Sequence, residues 1–482
     1  MSGSVQREPS PGPSMRAMGP YRAVVTTGIY CRPGCSARPR ESNVRHFPLA
    51  AAAEAAGFRA CLRCRPYRWE PPPCSAPPPL VRRALQRVLE GALDTGTEDR
   101  LGAEIGISAR HLRRLFLLHL GVTPAQLAGS RRAHFARRLL DDTDLSVTDI
   151  AFAAGFGSVR QLNRAFLTTF RSTPSHLRER RRASDRLAAD GGLAIRLPLS
   201  GPLAFTEMLS FLAVRAIPGV EAVSEGIYRR TVTIDGDPGV IEISRLETGI
   251  LLLRAHLPHW EGLIDVVQRA RRIFNLDGDV AAASELLSAD PRLGELLARR
   301  PGMRPPGTWD GFEVGVRAIV GQQVSVRGAT TIIGRIVARY GTEVEGLGAL
   351  GLSRLFPEPE RLAQADMEAI GMPAARVAAI RRFSAAVAEH RLHLERRAPL
   401  EELVDGITKV PGLGPWTAHY LALRLGDPDA FPASDLGLRR AIGSPGGEPA
   451  RVKEVEERAA AWRPFRAWAA VHLWSGLGSG GA

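Results

Sequence analysis

No apolar run in the 482-residue chain reaches the roughly 20 residues that a bilayer span needs, and the opening Met1-Ser2-Gly3-Ser4 has no basic start leading into an apolar stretch. Both absences argue against a membrane helix and an export leader. The expected compartment is the cytoplasm, where thiols stay reduced and clustered cysteines speak for metal rather than for disulfides. Lysine is scarce as well, the basic side chains being overwhelmingly arginine. The length allows three or four domains, each with its own core.

Cysteine is sparse, yet four of the five fall in two close pairs, Cys31-Arg32-Pro33-Gly34-Cys35 and Cys61-Leu62-Arg63-Cys64. A tight turn brings each pair of thiolates onto one face, and the connection folds the pairs together, as a tetrahedral zinc site requires. Cys31, Cys35, Cys61 and Cys64 are therefore read as metal ligands, with incidental thiols as the bland alternative. The spacing leaves open whether the metal only holds the fold or also takes part in chemistry. Cys74 lies in a proline-rich stretch and receives no role.

The formal net charge of +14 points to a polyanionic partner. Residues 1–80 carry +7, residues 81–182 carry +8, and the remaining 300 residues carry −1. The excess positive charge thus belongs to the front, and the back must hold DNA, if it does, by local geometry.

Composition divides the chain further. Residues 1–17 are Ser/Pro/Gly-rich without apolar periodicity and read as a disordered tail. Residues 18–70 hold the cysteine pairs, with a strand-like Ala23-Val24-Val25 and a short helix over 50–56 closed by Gly57. Residues 71–80 are a stiff proline-rich linker.

Residues 81–182 repeat one design. In the first copy a helix around Leu101 to Ile105 breaks at Gly106, and Ser108 caps a second helix running to Leu120. Leu112, Leu115 and Phe116 share its inner face, whereas Arg110, His111, Arg113 and Arg114 lie outside it. In the second copy Ser146 caps a helix through Ile150 to Ala154, Gly155-Phe156-Gly157 breaks it, and Ser158 starts the next. That last helix turns Leu162 and Phe166 inward and shows Arg160, Gln161, Asn163 and Arg164. Each copy ends in a Thr-Pro pair, Thr123-Pro124 and Thr173-Pro174. A helix, a tight turn and a second helix exposing Arg and Gln would present bidentate donors to base edges in the major groove. An ordinary helical bundle with solvated arginines is the competing reading.

Residues 183–192, ending in Gly191-Gly192, read as a second linker. Residues 193–280 alternate in short strand-like runs around a helix over 206–214, an α+β domain. Residues 281–482 read as helices with Gly/Pro punctuation. The expected fold class is multidomain and mainly α.

In the back half, Val410-Pro411-Gly412-Leu413-Gly414-Pro415-Trp416-Thr417-Ala418 allows a tight turn whose amides project at the start of a helix. Gly412 and Gly414 would meet a backbone phosphate, directly or through a monovalent cation. A plain helix-helix turn has the same vocabulary. Downstream, Asp435 follows a turn-rich stretch, where a helix N-cap is an aspartate's usual task. Asp427 and Asp429 are the fallback candidates for chemistry.

Several of these stretches resemble known families. Ser108-Ala109-Arg110-His111-Leu112-Arg113-Arg114-Leu115-Phe116 and Ile150-Ala151-Phe152-Ala153-Ala154-Gly155-Phe156-Gly157-Ser158 resemble the DNA-binding domain of AraC-type regulators. One departure is Arg171-Ser172, where that family usually has a glycine. The hairpin followed at this separation by Pro432 and Asp435 resembles the helix-hairpin-helix glycosylases, which implies a catalytic Asp435. Phe312 to Val326, Gly371-Met372-Pro373 and Trp416-Thr417-Ala418-His419-Tyr420 resemble AlkA-type 3-methyladenine DNA glycosylases, a likeness extending from about Leu193 to Trp474. It implies a TATA-binding-protein-like α+β domain followed by helices, extrusion of a damaged nucleotide and excision of alkylated bases.

An alkylated purine is cationic and its glycosidic bond already weak, so π-faces and one carboxylate suffice for the chemistry. Trp416, Tyr420, Trp474 and Phe211 would be those faces, their bland alternative being core packing. Trp416 stands where bifunctional members of the superfamily carry a lysine, so strand cleavage through a Schiff base is not expected, and Lys409 lies outside the hairpin. Gln323 stands where those glycosylases insert a leucine into the vacated stack.

Thr26 to Cys35, with Ala56 to Pro66, resembles the N-terminal domain of the Ada-type adaptive-response proteins. That resemblance implies that Cys31 accepts a methyl group from a DNA methylphosphotriester, once and irreversibly, while Cys35, Cys61 and Cys64 are ligands alone. The second Ada methyltransferase is missing, as no Pro-Cys-His-Arg box occurs. The whole reads as a methyl acceptor and transcriptional activator fused to a monofunctional glycosylase, acting on alkylated and operator DNA at the bacterial nucleoid, with RNA polymerase as protein partner. Two other readings stand beside it. One is a DNA-binding regulator whose glycosylase half is only a clamp, and the other is a glycosylase with a purely structural zinc finger.

Overall fold

The computed structural model describes residues 19–69, 77–94, 96–182, 185–187, 192–368, 370–394, 400–443 and 447–477. The expected tail over 1–17, Cys74 and most of both linkers lie outside the described residues. The chain divides into two compact units, Met1–Arg186 with Glu261–Asp265, and Leu187–Trp260 with Val266–Ala482. Among the described residues no helix is long and apolar enough to cross a membrane.

In the first unit β1 (Tyr21–Val24), β2 (Ile29–Cys31), β3 (Val44–Phe47) and β4 (Arg59–Ala60) form a sheet in the order β3-β1-β2-β4. β1 pairs antiparallel with β2 and β3, but β2 and β4 run parallel, with Tyr30 opposite Ala60. Parallel neighbours need a crossover. β3 and α1 (Ala50–Ala55) supply it, and the small buried side chains Ala51, Ala52 and Ala53 let the helix lie close.

Seven helices follow: α2 (Pro79–Leu89), α3 (Glu98–Ile105), α4 (Ala109–Leu120), α5 (Pro124–Asp142), α6 (Val147–Ala153), α7 (Val159–Phe170) and α8 (Pro174–Glu179). From α3 onward every one starts on a hydroxyl. Thr97, Ser108, Thr123, Ser146, Ser158 and Thr173 each accept from the backbone N–H three residues ahead. Each such cap stabilises its helix by about 1 kcal/mol. The Thr-Pro pairs, which had no explanation in the sequence, are caps followed by a proline whose missing N–H costs nothing at the first helical position. Gly121, with φ 70°, ends α4, and its counterpart Arg171 ends α7 at φ 55°. The Arg171 side chain donates to the Gly57 carbonyl at 3.4 Å, so the departure from glycine brings a bond to the cysteine-bearing segment.

That segment is fastened to α5. Tyr67 donates to Asp141 at 2.9 Å, Arg68 to Asp142 at 2.9 Å, and the Glu54 carboxylate joins the Tyr30 hydroxyl to His134 at 2.5 and 2.6 Å.

The second unit opens on an antiparallel sheet in the order β5-β9-β8-β7-β6, formed by β5 (Leu193–Pro198), β6 (Glu221–Ser224), β7 (Ile227–Ile234), β8 (Asp237–Glu247) and β9 (Ile250–His256). α9 (Phe205–Ala213) lies between β5 and β6 in the chain. The expected strand-like alternation up to Asp279 needs correction, because the sheet ends at His256 and α10 (Leu263–Ile273) follows. Its β-branched residues mimic a strand, yet Val266, Val267, Ala270 and Ile273 are buried at helical spacing.

Among the described residues eleven further α-helices follow in this unit: α11 (Val280–Leu287), α12 (Pro291–Arg299), α13 (Gly311–Val320), α14 (Val326–Tyr340), α15 (Pro359–Ala363), α16 (Ala374–Ala388), α17 (Leu400–Thr408), α18 (Pro415–Arg424), α19 (Leu436–Ile442), α20 (Val452–Ala459) and α21 (Arg466–Gly476). α13 is the axis of the core, Phe312 to Val320 being buried without interruption. α16 lies so close to it that a Cβ on Gly315 would meet the Phe383 ring at 2.2 Å, and Phe383 stacks on Phe312 at 5.7 Å.

A buried ion pair fastens the sheet to α13. Arg230, only 2 % exposed, reaches both oxygens of Glu313 at 2.7 and 2.8 Å, with Glu221 3.6 Å from its other nitrogen. Removing one member of such a pair leaves the other charge buried alone. Arg230→Ala is therefore expected to destabilise the second unit by about 3–5 kcal/mol, and Arg451→Ala, from an exposed pair with Glu454, to leave its stability nearly unchanged. Urea unfolding followed by tryptophan fluorescence reads this directly, since all tryptophans except Trp69 lie in the second unit.

Candidate functional site

Cys31 ends β2 and Cys61 directly follows β4, so the parallel pairing sets both thiols at one end of the sheet. The Cys61 N–H donates to the Tyr30 carbonyl at 3.0 Å. Each strand then turns back on itself: Gly34, at φ 75°, lies in the first loop, and Arg65 N–H closes the second on the Cys61 carbonyl at 3.0 Å. Arg32 Nε ties the loops together by donating to the Cys64 carbonyl at 3.0 Å.

All four Sγ atoms lie within 4.8 Å of one another. Four sulfurs about 2.3 Å from a common centre stand about 3.8 Å apart at tetrahedral angles, so the cluster fits zinc after small side-chain adjustments. Sulfurs this close otherwise share protons. Hydrogen bonding to Cys64 and burial push the Cys31 thiol far up, while the same hydrogen bond pulls Cys64 down to about 5. A divalent cation is the natural replacement for those protons. Cys31 is buried, and the other three are half-buried.

α4 and α7 present the base-reading candidates. Arg110 and Arg114 on α4, and Arg160, Gln161 and Arg164 on α7, are all exposed. Arg113, beside them, is paired with Glu98. The Gln161 side-chain oxygen is already committed, accepting from the Gly157 N–H at 3.0 Å.

In the second unit Asp435 is the N-cap of α19, its Oδ1 accepting from the Leu438 N–H at 3.0 Å. It is also more than a cap. Trp474 Nε1 of α21 donates to Oδ1 at 2.8 Å, and Trp416 Nε1 of α18 donates to Oδ2 at 3.0 Å. One turn along α18, Tyr420 stacks on Trp416 with centroids 5.4 Å apart and planes 8° from parallel, and it meets Trp474 at 6.3 Å and 59°. A carboxylate held by neutral donors and bordered by three aromatic rings suits a flat cationic ligand.

Phe211, the fourth aromatic candidate, joins this group through arginines. The Arg215 guanidinium lies 3.8 Å from its ring centre and that of Arg424 5.5 Å away, while Arg424 also donates to the Tyr420 hydroxyl at 3.2 Å. Burial raises the Tyr420 phenol, but Arg424, Arg215 and Arg317 outweigh it and hold the group below the usual tyrosine range. These arginines have no candidate role in the sequence analysis above. The spacing of Phe211 with Arg215, and of Tyr420 with Arg424, one helical turn in each case, was the signal available.

The fallback carboxylates are engaged elsewhere. Asp429 is clasped by Arg466 at 2.7 and 2.9 Å and by Arg463 at 2.7 Å, and Asp427 Oδ1 accepts from the Asp429 N–H at 2.8 Å. Lys409 is exposed and paired with Asp405 at 2.6 Å.

The glycine hairpin connects α17 to α18. Gly412 has φ 99°, and a Cβ there would meet that of Ala379 at 2.8 Å, so the hairpin is seated on α16 and tolerates no side chain at this position. Gly414 is the N-cap of α18. Gln323 stands exposed in the turn between α13 and α14.

Four family models match successive parts of the chain. They are the metal binding domain of Ada over residues 20–67, a helix-turn-helix domain over 101–180, the AlkA N-terminal domain over 194–310, and the HhH-GPD superfamily base excision DNA repair protein over 316–466. A Mycobacterium tuberculosis protein described as "Probable bifunctional transcriptional activator/DNA repair enzyme AlkA" is 40% identical over 460 residues, which is 94% of this chain and 92% of that protein. The Escherichia coli DNA-3-methyladenine glycosylase 2 is 33% identical over 280 residues, 57% of this chain and 94% of its own. Among solved structures, a 3-methyladenine DNA-glycosylase from Archaeoglobus fulgidus has the fold of the second unit, with a TM-score of 0.52, 24% identity, and coverage of 58% of this chain and 96% of that one.

Proposed function

The chain belongs to the family of AlkA-type bifunctional transcriptional activator/DNA repair enzymes, and from that premise we propose that it excises alkylated bases with Asp435 and senses methylated DNA backbone with Cys31. The observation that carries the first half is the Asp435 carboxylate between two indole N–H groups, bordered by stacked Trp416 and Tyr420.

Excision needs little from the protein when the base leaves as a neutral molecule from a cationic nucleotide of the 3-methyladenine type. The aromatic faces of Trp416, Tyr420 and Trp474 hold the flattened cation, with Phe211 beside them. As the glycosidic bond lengthens, positive charge moves onto the sugar, and Asp435 stabilises it through space. A carboxylate has about four lone-pair directions, of which Leu438, Trp474 and Trp416 occupy three. The remaining one, on Oδ2, accepts a proton from the attacking water. Trp416 occupies the position of the Schiff-base lysine and Lys409 is paired with Asp405, so the reaction ends at an abasic site. Gly412 and Gly414 grip the phosphate backbone, with a monovalent cation as the bridge, and Gln323 fills the space left by the extruded nucleotide.

At the front, a zinc ion bound by the four cysteines would keep their sulfurs as thiolates. Cys31 Sγ forms a bond to the methyl carbon of a methylphosphotriester, the methyl–oxygen bond breaks, and a phosphodiester anion leaves. Because Cys31 is buried, the transfer requires this domain to be docked on the backbone. A thiolate has become a neutral thioether, so the cluster loses one negative charge and repels phosphate less. Arg110, Arg114, Arg160, Gln161 and Arg164 then hold an operator more tightly, and RNA polymerase is the partner an activator addresses there. The setting is the cytoplasm, on the nucleoid.

Measuring free base released from methylated duplex tests the first half. Wild type releases 3-methyladenine, Asp435→Asn is slower by about 10²-fold or more, and borohydride traps no enzyme–DNA adduct. Equal release by the variant removes Asp435 from the chemistry. Gel-shift titration before and after incubation with methylphosphotriester DNA tests the second, with the methyl located on Cys31 by mass spectrometry. Operator affinity rises with methylation, and unchanged affinity rejects the switch.

A further inference from the structure

The turn between α13 and α14 ends in a conformation that its residue types do not favour. Gln323 has φ 57°, the left-handed region, which a side chain makes unfavourable relative to glycine. Its side chain is exposed, so burial does not hold it there. The residue before it does. The Gln322 carbonyl accepts from Arg376 Nη2 at 2.5 Å, and Arg376 stands in the first turn of α16. The Gln322 side-chain amide donates in two directions, to the Gly412 carbonyl at 3.2 Å and to Thr417 Oγ1 at 3.0 Å.

One residue thus bonds to three elements. Gly412 is the hairpin glycine already seated on Ala379 of α16, and Thr417 lies next to Trp416 on α18. The exposed tip, the phosphate-gripping hairpin and the helix carrying the aromatic wall are joined through Gln322, with Arg376 fixing the backbone of the same residue. A wedge must withstand the restacking of a base pair. A tip on a free loop would yield, whereas a tip bonded to the hairpin is braced by the enzyme's own hold on the DNA backbone.

The geometry points to Gln322 and Arg376 as positioning residues for base extrusion, which couple insertion of Gln323 to backbone grip at the hairpin. This rests on the reading of Gln323 as the wedge. Neither residue touches the base; both act through Gln323. The role is confined to duplex substrate, because a damaged nucleotide in a single strand needs no extrusion.

The test compares single-turnover release of 3-methyladenine from a methylated duplex and from the same strand alone, in the full chain, with 2-aminopurine fluorescence beside the lesion reporting unstacking. Gln322→Met keeps the length and removes both donors; Arg376→Ala removes only the carbonyl bond and serves if the first variant folds poorly. Both are expected to lower the duplex-to-single-strand rate ratio by about ten- to a hundredfold and to reduce the fluorescence rise, with Arg376→Lys recovering part of it. Gln323→Ala lowers the duplex rate and the fluorescence in the same way. An unchanged ratio in Gln322→Met and Arg376→Ala, or equal loss on both substrates, overturns the positioning role while leaving the wedge in place if Gln323→Ala is slow on duplex. Wild-type duplex rates in Gln323→Ala refute the wedge reading and the proposal together.

Discussion

A carboxylate held by two indoles and a helix N-terminus is the interaction that orders the candidate site of the second unit. Asp435 draws its three donors from α18, α19 and α21, so these helices must converge to within hydrogen-bond reach at one point. Bonds to a charged acceptor are worth about 1.5–3 kcal/mol each, too little to assemble three helices. The core does that, through α13 and the buried faces of α18 and α21, and the bonds then choose one orientation of the carboxylate. The two indoles serve twice, as donors through their edges and as walls through their faces. The aromatic site and the acid are consequently one structure, and losing either side chain outright would alter both.

The first unit depends on a different constraint, the parallel pairing of β2 with β4. It sets Cys31 and Cys61 side by side, and each following turn needs only a few residues to return a second sulfur. The two units also meet nucleic acid by different physics. The front carries the net positive charge and can attract DNA over a Debye length. The back has charge −1 over 300 residues and has no such long-range attraction to draw on.

Features specified within a few residues were legible in the sequence. Ser108 and Ser146 announced their helices because a cap is read from one side chain and the apolar periodicity after it. The cysteine pairs were legible for the same reason, although the parallel strands that bring them together were not, since register between distant segments leaves no local signature. α10 was missed because β-branched residues at helical spacing carry both signals. Asp435 could be singled out as a candidate by resemblance, but its indole partners lie 19 and 39 residues away, and edge donation from a tryptophan has no sequence mark. The arginines around Phe211 and Tyr420 were hidden in a different way, because an arginine in a basic protein looks like solvated charge until its burial is known.

If the clasp of Asp435 is what makes the pocket a catalyst, removing one donor while keeping a ring must slow the chemical step and spare binding. Trp474→Phe does this, leaving an aromatic face but no N–H for Oδ1. Single-turnover release of 3-methyladenine across enzyme concentrations separates the two terms. The expected maximal rate is lower by about tenfold, with half-saturation within about twofold of wild type. An unchanged maximal rate with weakened binding would contradict it, leaving Trp474 as a wall of the pocket and nothing more.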